Sequence, residues 1–147
     1  MPQQSKKAKA SKAKLQSAPF RRTRSDHSTE LVEDYLELIA ELIDNKGEAR
    51  GTDVALRLGV ANATVVKMLK RLQDKGFITQ EPYRAVMLTT EGWAIAEKGR
   101  RRHAIVENFL LAIGISPETA RIDSEGIEHH VSEETLRMMA RFTNRKT

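Results

Sequence analysis

Thr52-Asp53-Val54-Ala55-Leu56-Arg57-Leu58-Gly59-Val60-Ala61-Asn62-Ala63-Thr64-Val65-Val66-Lys67-Met68-Leu69-Lys70-Arg71-Leu72 decides the fold. Its apolar residues fall into two helical blocks around one tight turn, Leu58-Gly59-Val60. Val54, Ala55 and Leu58 belong to the first block; Val65, Met68, Leu69 and Leu72 stripe the second at the 3.6-residue period. The sequence predicts that Thr52 caps the first of these helices and Asn62 the second, which runs to about Lys75 with Gly76 in a left-handed position behind it. Two short helices joined by a glycine turn read as a helix-turn-helix. The outward face of the second helix shows Asn62, Ala63, Thr64, Lys67, Lys70 and Arg71. Small and polar side chains let a helix approach base edges, and Lys and Arg hold phosphates.

Working outward, Ser28 or Thr29 starts a preceding helix to about Asn45, with Leu31, Tyr35, Leu38, Ile39, Leu42 and Ile43 on one face. Behind the core stretch, two strand-like runs, Phe77–Gln80 and Ala85–Leu88, flank Glu81-Pro82-Tyr83-Arg84 and read as a β-hairpin with Arg84 at its tip. A hairpin after a helix-turn-helix is a wing, so Arg84 joins the DNA-contact candidates. A long helix is expected from about Thr90 to Ile113, another from Ser116-Pro117-Glu118, and a last one from Ser132 carrying Leu136, Met139 and Phe142. The expected fold is mainly α with a small β-hairpin wing. The expected division is a disordered basic tail over 1–27, a winged helix-turn-helix over 28–97, and a helical dimerisation and metal-binding domain over 98–147.

Charge has to be divided before it is used. The whole chain carries +5, but residues 1–27 hold eight Lys or Arg against Asp26 alone, a net of +7 that leaves the rest at −2. An electrostatic case for nucleic acid therefore rests on local patches and the tail. Cysteine is absent, which excludes disulfides and thiolate metal sites. No apolar run approaches the roughly 20 residues of a membrane span, and the lysine-bearing N-terminus lacks a signal-peptide core. A cytoplasmic protein is expected.

A second group of residues points to metal. Glu125-Gly126-Ile127-Glu128-His129-His130 places two carboxylates and two imidazoles in six positions. On a helix, Glu125, Glu128 and His129 stand at i, i+3 and i+4 and share a face, while His130 points about 100° away from His129. Asp34 and Glu37 are i, i+3 on the first helix, and His103 and Glu107 are i, i+4 on the long one. Each pair alone reads as ordinary solvated charge. Together they form an oxygen and nitrogen donor set without sulfur, which suits Mn(II), with Fe(II) next, better than zinc.

These residues resemble the diphtheria toxin repressor family, in its manganese-responsive branch, over about residues 28–145. The resemblance is specific in Glu33-Asp34-Tyr35-Leu36-Glu37, in Arg102-His103 with Val106-Glu107-Asn108-Phe109-Leu110, and in Glu125–His130. It implies Asp34, Glu37, His103, Glu125, Glu128 and His129 as ligands of Mn(II), one or two ions per subunit. The iron-responsive branch has methionine where Asp34 stands and cysteine where Glu125 stands. Its ancillary site uses histidine where this chain has Arg121, which leaves Glu107 as an outer group. No third, SH3-like domain is expected.

The resemblance implies a Mn(II)-dependent repressor of manganese-homeostasis genes such as an importer, and no enzyme activity. A homodimer on a palindromic operator in double-stranded DNA is expected, with no membrane partner. Dimerisation is expected through Ile105, Phe109, Leu110, Ile113, Leu136, Met139 and Phe142, and metal would bridge the two domains and set the spacing of the recognition helices. Competing readings are an iron-responsive repressor of the same family, a constitutive winged-helix regulator with a structural acidic cluster, and a metal-dependent hydrolase. The chain offers the hydrolase no nucleophile motif or phosphate loop.

Overall fold

A computed structural model describes residues 29–82 and 84–146. The expected tail over 1–27 lies outside the described residues. The chain divides into two compact units, Met1–Leu31 and Val32–Thr147, and the second carries the sites described below.

The first helix, α1, spans residues 29–46. It is followed by α2 (Gly51–Leu58) and α3 (Asn62–Asp74), then β1 (Ile78–Thr79) and β2 (Met87–Leu88). The order closes with α4 (Thr90–Ala112), α5 (Pro117–Ile127), a 3-10 turn over Glu128–His130, and α6 (Glu133–Lys146). This is the mainly helical winged helix-turn-helix architecture expected from the sequence, with a helical C-terminal part.

The core grows from the stripes already visible in the chain. Leu36 and Ile39 of α1 are fully buried, as are Val54, Leu72, Ile78 and Val86. Burial of one such aliphatic side chain is worth roughly 1.5–3 kcal/mol. Gly59 has φ 68°, a left-handed geometry that costs glycine nothing, and the turn closes as Val60 N–H donates to the Ala55 carbonyl at 3.1 Å. The caps lie earlier than expected, by two residues for α2 and by one for α3. Arg50 and Ala61 are the extended residues before α2 and α3, so Thr52 and Asn62 lie inside the first turns and do not cap them. The Ala61 carbonyl accepts from Thr64 and Val65 N–H, which starts α3 one residue early and leaves the Asn62 side chain outside the cap.

The wing is short. Ile78 pairs with Leu88 and Thr79 with Met87, and a separate bridge joins Val86 to Ala49 through a 2.7 Å hydrogen bond from the Val86 N–H. That bridge ties the hairpin to the α1–α2 connection. Thr89 fixes the start of α4: its Oγ1 accepts from Gly92 N–H at 3.1 Å and donates to the Gly76 carbonyl at 2.7 Å. A Cβ at Gly92 would overlap the Phe77 carbonyl oxygen, so α4 begins in direct contact with backbone.

α4 runs unbroken across 97–98, where the sequence reading divides the domains. Its first half joins the winged-helix core through Ala96, with Trp93 and Ile95 packed alongside. Its second half carries α5 and α6. Ser116 precedes Pro117 at the start of α5, and Ser132 Oγ accepts from Thr135 N–H at 3.2 Å at the start of α6. Phe109 and Phe142 meet edge to face, 5.5 Å between ring centres. Of the residues expected at a dimer face, Leu136 is 2% exposed and therefore packs inside the chain, while Ile113 and Phe142 remain 50% and 38% exposed. Among the described residues no helix is long and apolar enough to cross a membrane.

Candidate metal centre

Three elements bring acidic and imidazole groups together. The polar side of α1 offers Glu33, Asp34 and Glu37. The second half of α4 offers His103 and Glu107. The 3-10 turn offers Glu128 and His129. Arg102 pins that turn to α4: its Nε donates to the Glu128 carbonyl at 3.1 Å and its Nη2 to the Val131 carbonyl at 2.9 Å.

His129 is the centre of the cluster. Its side chain is 2% exposed, with Nδ1 2.6 Å from Glu33 Oε2 and Nε2 2.9 Å from Asp34 Oδ1. The Asp34 contact is close but lacks hydrogen-bond geometry, and Nε2 is left without a hydrogen-bond partner. Glu128 Oε1 lies 3.8 Å from the same nitrogen and 3.4 Å from His103 Nδ1. The other nitrogen of His103 meets Glu107 Oε2 at 3.0 Å and Ser124 Oγ at 3.4 Å. Glu33, Glu37 and His129 also form one of the groups whose donor atoms lie within 4.8 Å of one another.

Three buried polar atoms have no hydrogen-bond partner among the described residues: Glu37 Oε1, Glu128 Oε2 and His129 Nε2. Unmet buried polar atoms of this kind cost about 1–3 kcal/mol each. The charge pattern agrees. Burial pushes the Glu128 carboxyl up to about 8, helped by the nearby Glu37 charge. Burial likewise pushes Glu37 up to about 7, against the opposing pull of His129. For His129 burial works against the charged ring, but the Asp34 and Glu33 carboxylates outweigh it and raise it to about 10. Protons thus stand in for positive charge at a cluster of carboxylates.

Of the six ligand candidates, the structure gathers Asp34, Glu37, His103, Glu128 and His129. It does not bring Glu125 into the cluster. Glu125 is exposed on α5, one turn before Glu128. Four carboxylates already surround His129, so nothing there attracts another. His130 is exposed, consistent with a place beside the donor set. Sequence reasoning missed three participants. Glu33 was visible as a third acid on α1, but its choice of His129 was not. Arg102 stood in the Arg102-His103 segment of the family resemblance, but its grip on the turn after α5 was not visible. Gly99 carries no chemistry, yet a Cβ there would overlap the Glu37 carboxylate, so α4 gives way where Glu37 crosses it.

The DNA-contact candidates Asn62, Ala63, Thr64, Lys67, Lys70 and Arg71 are all exposed on α3. Arg84 is exposed at the wing and pairs with Glu81 at 3.2 Å. Val66, 65% exposed on the flank of α3, was not among them. It lines a hollow of about 460 Å³ with Asn62, Gln80 and Arg84, between α3 and the wing.

A winged helix-turn-helix continued by a helical part, with imidazole and carboxylates at their junction, defines a class: DNA-binding proteins with a candidate metal centre beside the reading head. The comparisons make this specific. The profile "Iron dependent repressor, N-terminal DNA binding domain" matches residues 27–86, and "Iron dependent repressor, metal binding and dimerisation domain" matches residues 89–147. The chain belongs to the iron dependent repressor family, which bears out its sequence resemblance to the diphtheria toxin repressor. It is 57% identical over 124 residues to the transcriptional regulator MntR of Salmonella typhimurium, covering 84% of this chain and 79% of that one. It is 41% identical over 104 residues to the MntR regulator of Listeria monocytogenes, covering 71% of this chain and 73% of the relative. Among solved structures, a manganese-dependent transcriptional repressor in complex with manganese superposes with TM-score 0.66 at 28% identity, over 78% of this chain and 52% of that one. The IdeR of T. acidophilum superposes with TM-score 0.67 at 30% identity, over 74% of this chain and 52% of that one. The chain spans about half the length of these solved chains.

Proposed function

We propose that this protein is a Mn(II)-dependent DNA-binding transcriptional repressor of manganese-homeostasis genes, such as an importer. It acts as a cytoplasmic homodimer on a palindromic operator. The observation that carries the reading is the set of buried, unmet donor atoms on Glu37, Glu128 and His129, contributed by α1 and by the turn after α5. The set fits a divalent ion by its chemistry: oxygen and imidazole nitrogen, no sulfur, and surplus negative charge. The names of the relatives support manganese in particular.

Asp34, Glu37, His103, Glu128 and His129 would hold the ion, with Glu125 completing the set on family resemblance. The ion supplies positive charge that neutralises carboxylates from two parts of the chain at once. The residues do the rest. α1 carries Asp34 and Glu37 on one side and core residues of the DNA-reading module on the other. Arg102 holds Glu128 and His129 on α4. Asn62, Ala63 and Thr64 face the groove, while Lys67, Lys70, Arg71 and Arg84 contact phosphates. We place the winged-helix domain at 28–97 and the dimerisation domain at 98–147, with α4 as their common beam.

The test is a mobility-shift titration on chelator-treated protein. Operator binding is expected with Mn(II) and not without it; equal binding in both states would leave a constitutive regulator. Repeating it with Fe(II) and Zn(II), on wild type and Asp34→Met, tests the selectivity for manganese. Asp34→Met is expected to move the preference away from Mn(II), because a thioether replaces a hard oxygen.

A further inference from the structure

We propose that Glu33 is a positioning residue for His129. It would fix which imidazole nitrogen is offered to the ion, without itself being a ligand. The inference rests on the metal-site reading above and deepens it.

The two ring nitrogens have different neighbours. Nδ1 is committed at 2.6 Å to Glu33 Oε2, on a side chain itself only 19% exposed. That is a short, charge-assisted hydrogen bond. Nε2 faces the opposite way, toward Asp34 Oδ1 at 2.9 Å and Glu128 Oε1 at 3.8 Å, and has no hydrogen-bond partner. A carboxylate on Nδ1–H keeps the proton there, leaves the Nε2 lone pair for an ion, and raises the basicity of the ring. It also locks the ring angle, which a buried side chain between two helices would otherwise owe to packing alone.

The competing geometry puts the ion on the Nδ1 side, between Glu33, Glu37 and His129, whose donor atoms lie within 4.8 Å of one another. There Glu33 would be a ligand. Two of the three unmet atoms lie away from it: Nε2 and Glu128 Oε2 lack partners, whereas Nδ1 has one, and the third, Glu37 Oε1, belongs to a ligand of either placement. Spacing along α1 agrees, because Asp34 and Glu37 stand at i, i+3 and offer two carboxylates without Glu33.

Two variants separate the roles. In Glu33→Gln the amide oxygen still accepts from Nδ1–H but is a poor metal ligand. In Glu33→Ala the acceptor is gone. Free Mn(II) is measured by its electron paramagnetic resonance signal in a titration, and the His129 side chain is followed by ¹⁵N–¹H correlation spectra of metal-free protein. Expected are a Mn(II) affinity about 10–100-fold weaker in Glu33→Ala and within about fivefold of wild type in Glu33→Gln. The Nδ1–H resonance is expected in wild type and Glu33→Gln and lost to exchange in Glu33→Ala. A Gln variant as weak as the Ala variant would make Glu33 a ligand, and an Ala variant with wild-type affinity would remove its role; either overturns the proposal. If wild type takes up no Mn(II), the metal reading falls, and the resonance alone decides whether Glu33 holds the His129 Nδ1–H.

Discussion

At the residue scale the centre is a proton store. Glu37 and Glu128 titrate near 4.5 in an unfolded chain but near 7 and 8 in the fold, and His129 moves from 6.5 to about 10. All three therefore bind protons in the native state over a range where the unfolded chain has released them. By linkage the metal-free fold loses stability as pH rises, first between about 4.5 and 8 through the carboxyls, then on toward 10 through His129. Thermal unfolding followed through Trp93, the sole tryptophan, is expected to show a falling melting temperature from pH 5.5 to 9 in chelator. Glu128→Gln should flatten that slope. Mn(II) uptake must expel these protons, so its affinity should rise over the same interval and proton release should be measurable at pH 7. A metal-free melting temperature that climbs with pH would contradict the placement of these groups in a buried cluster.

At the element scale the decisive contact is the crossing of α1 over α4 at Gly99. Alanine is a better helix residue by about 1 kcal/mol, so Gly99→Ala in the middle of α4 would ordinarily stabilise. Here the added Cβ would overlap the Glu37 carboxylate, the free end of a flexible side chain. The expected result is a split: stability within about 1 kcal/mol of wild type, and Mn(II) affinity lower by at least about tenfold as Glu37 is displaced. Gly92→Ala is the contrast. Its Cβ would meet the Phe77 backbone carbonyl, which cannot step aside, so stability itself should drop. Paired thermal melts and Mn(II) titrations distinguish the two, and a Gly99→Ala protein that binds Mn(II) normally would show that Glu37 is free to reposition.

The same scale shows what could be read in the chain. The stripes of α1 and α3 were legible because burial on one helix face is periodic, and Gly59 and Gly76 because left-handed backbone leaves glycine in the sequence. The sites of His129 and Glu128 were legible because carboxylate and imidazole in one short segment are uncommon without a purpose. Gly99, Arg102 and the Ala49–Val86 bridge were not, since each depends on how closely two distant elements approach. The caps of α2 and α3 slipped by two residues and by one because Arg50 and Ala61, with no capping side chains, already supply the extended backbone. Glu125 was assigned a shared face with Glu128 and His129 on a continuous helix, but α5 ends at Ile127 and the last two residues sit on a tighter turn.

For the whole molecule, the proposed function makes α1 the part through which both ligands act. Its apolar side, with Leu36 and Ile39 fully buried, is packed into the core that supports α2 and α3, and its polar side holds Asp34 and Glu37. On that proposal an ion gripped between that side and the Glu128–His129 turn would favour one placement of the reading head, and operator DNA would favour the same placement. The coupling is then an equilibrium quantity and reciprocal. If Mn(II) tightens operator binding by about 100-fold, roughly 2.7 kcal/mol, operator must tighten Mn(II) by the same factor. Operator affinity measured in saturating Mn(II) and in chelator gives one ratio. Mn(II) affinity measured with and without operator gives the other. The two are expected to agree in wild type and to fall together toward unity in Asp34→Ala, whose side chain is 45% exposed and can be removed without opening the core. An Asp34→Ala protein that still binds Mn(II) and keeps the full ratio would place the coupling elsewhere than α1.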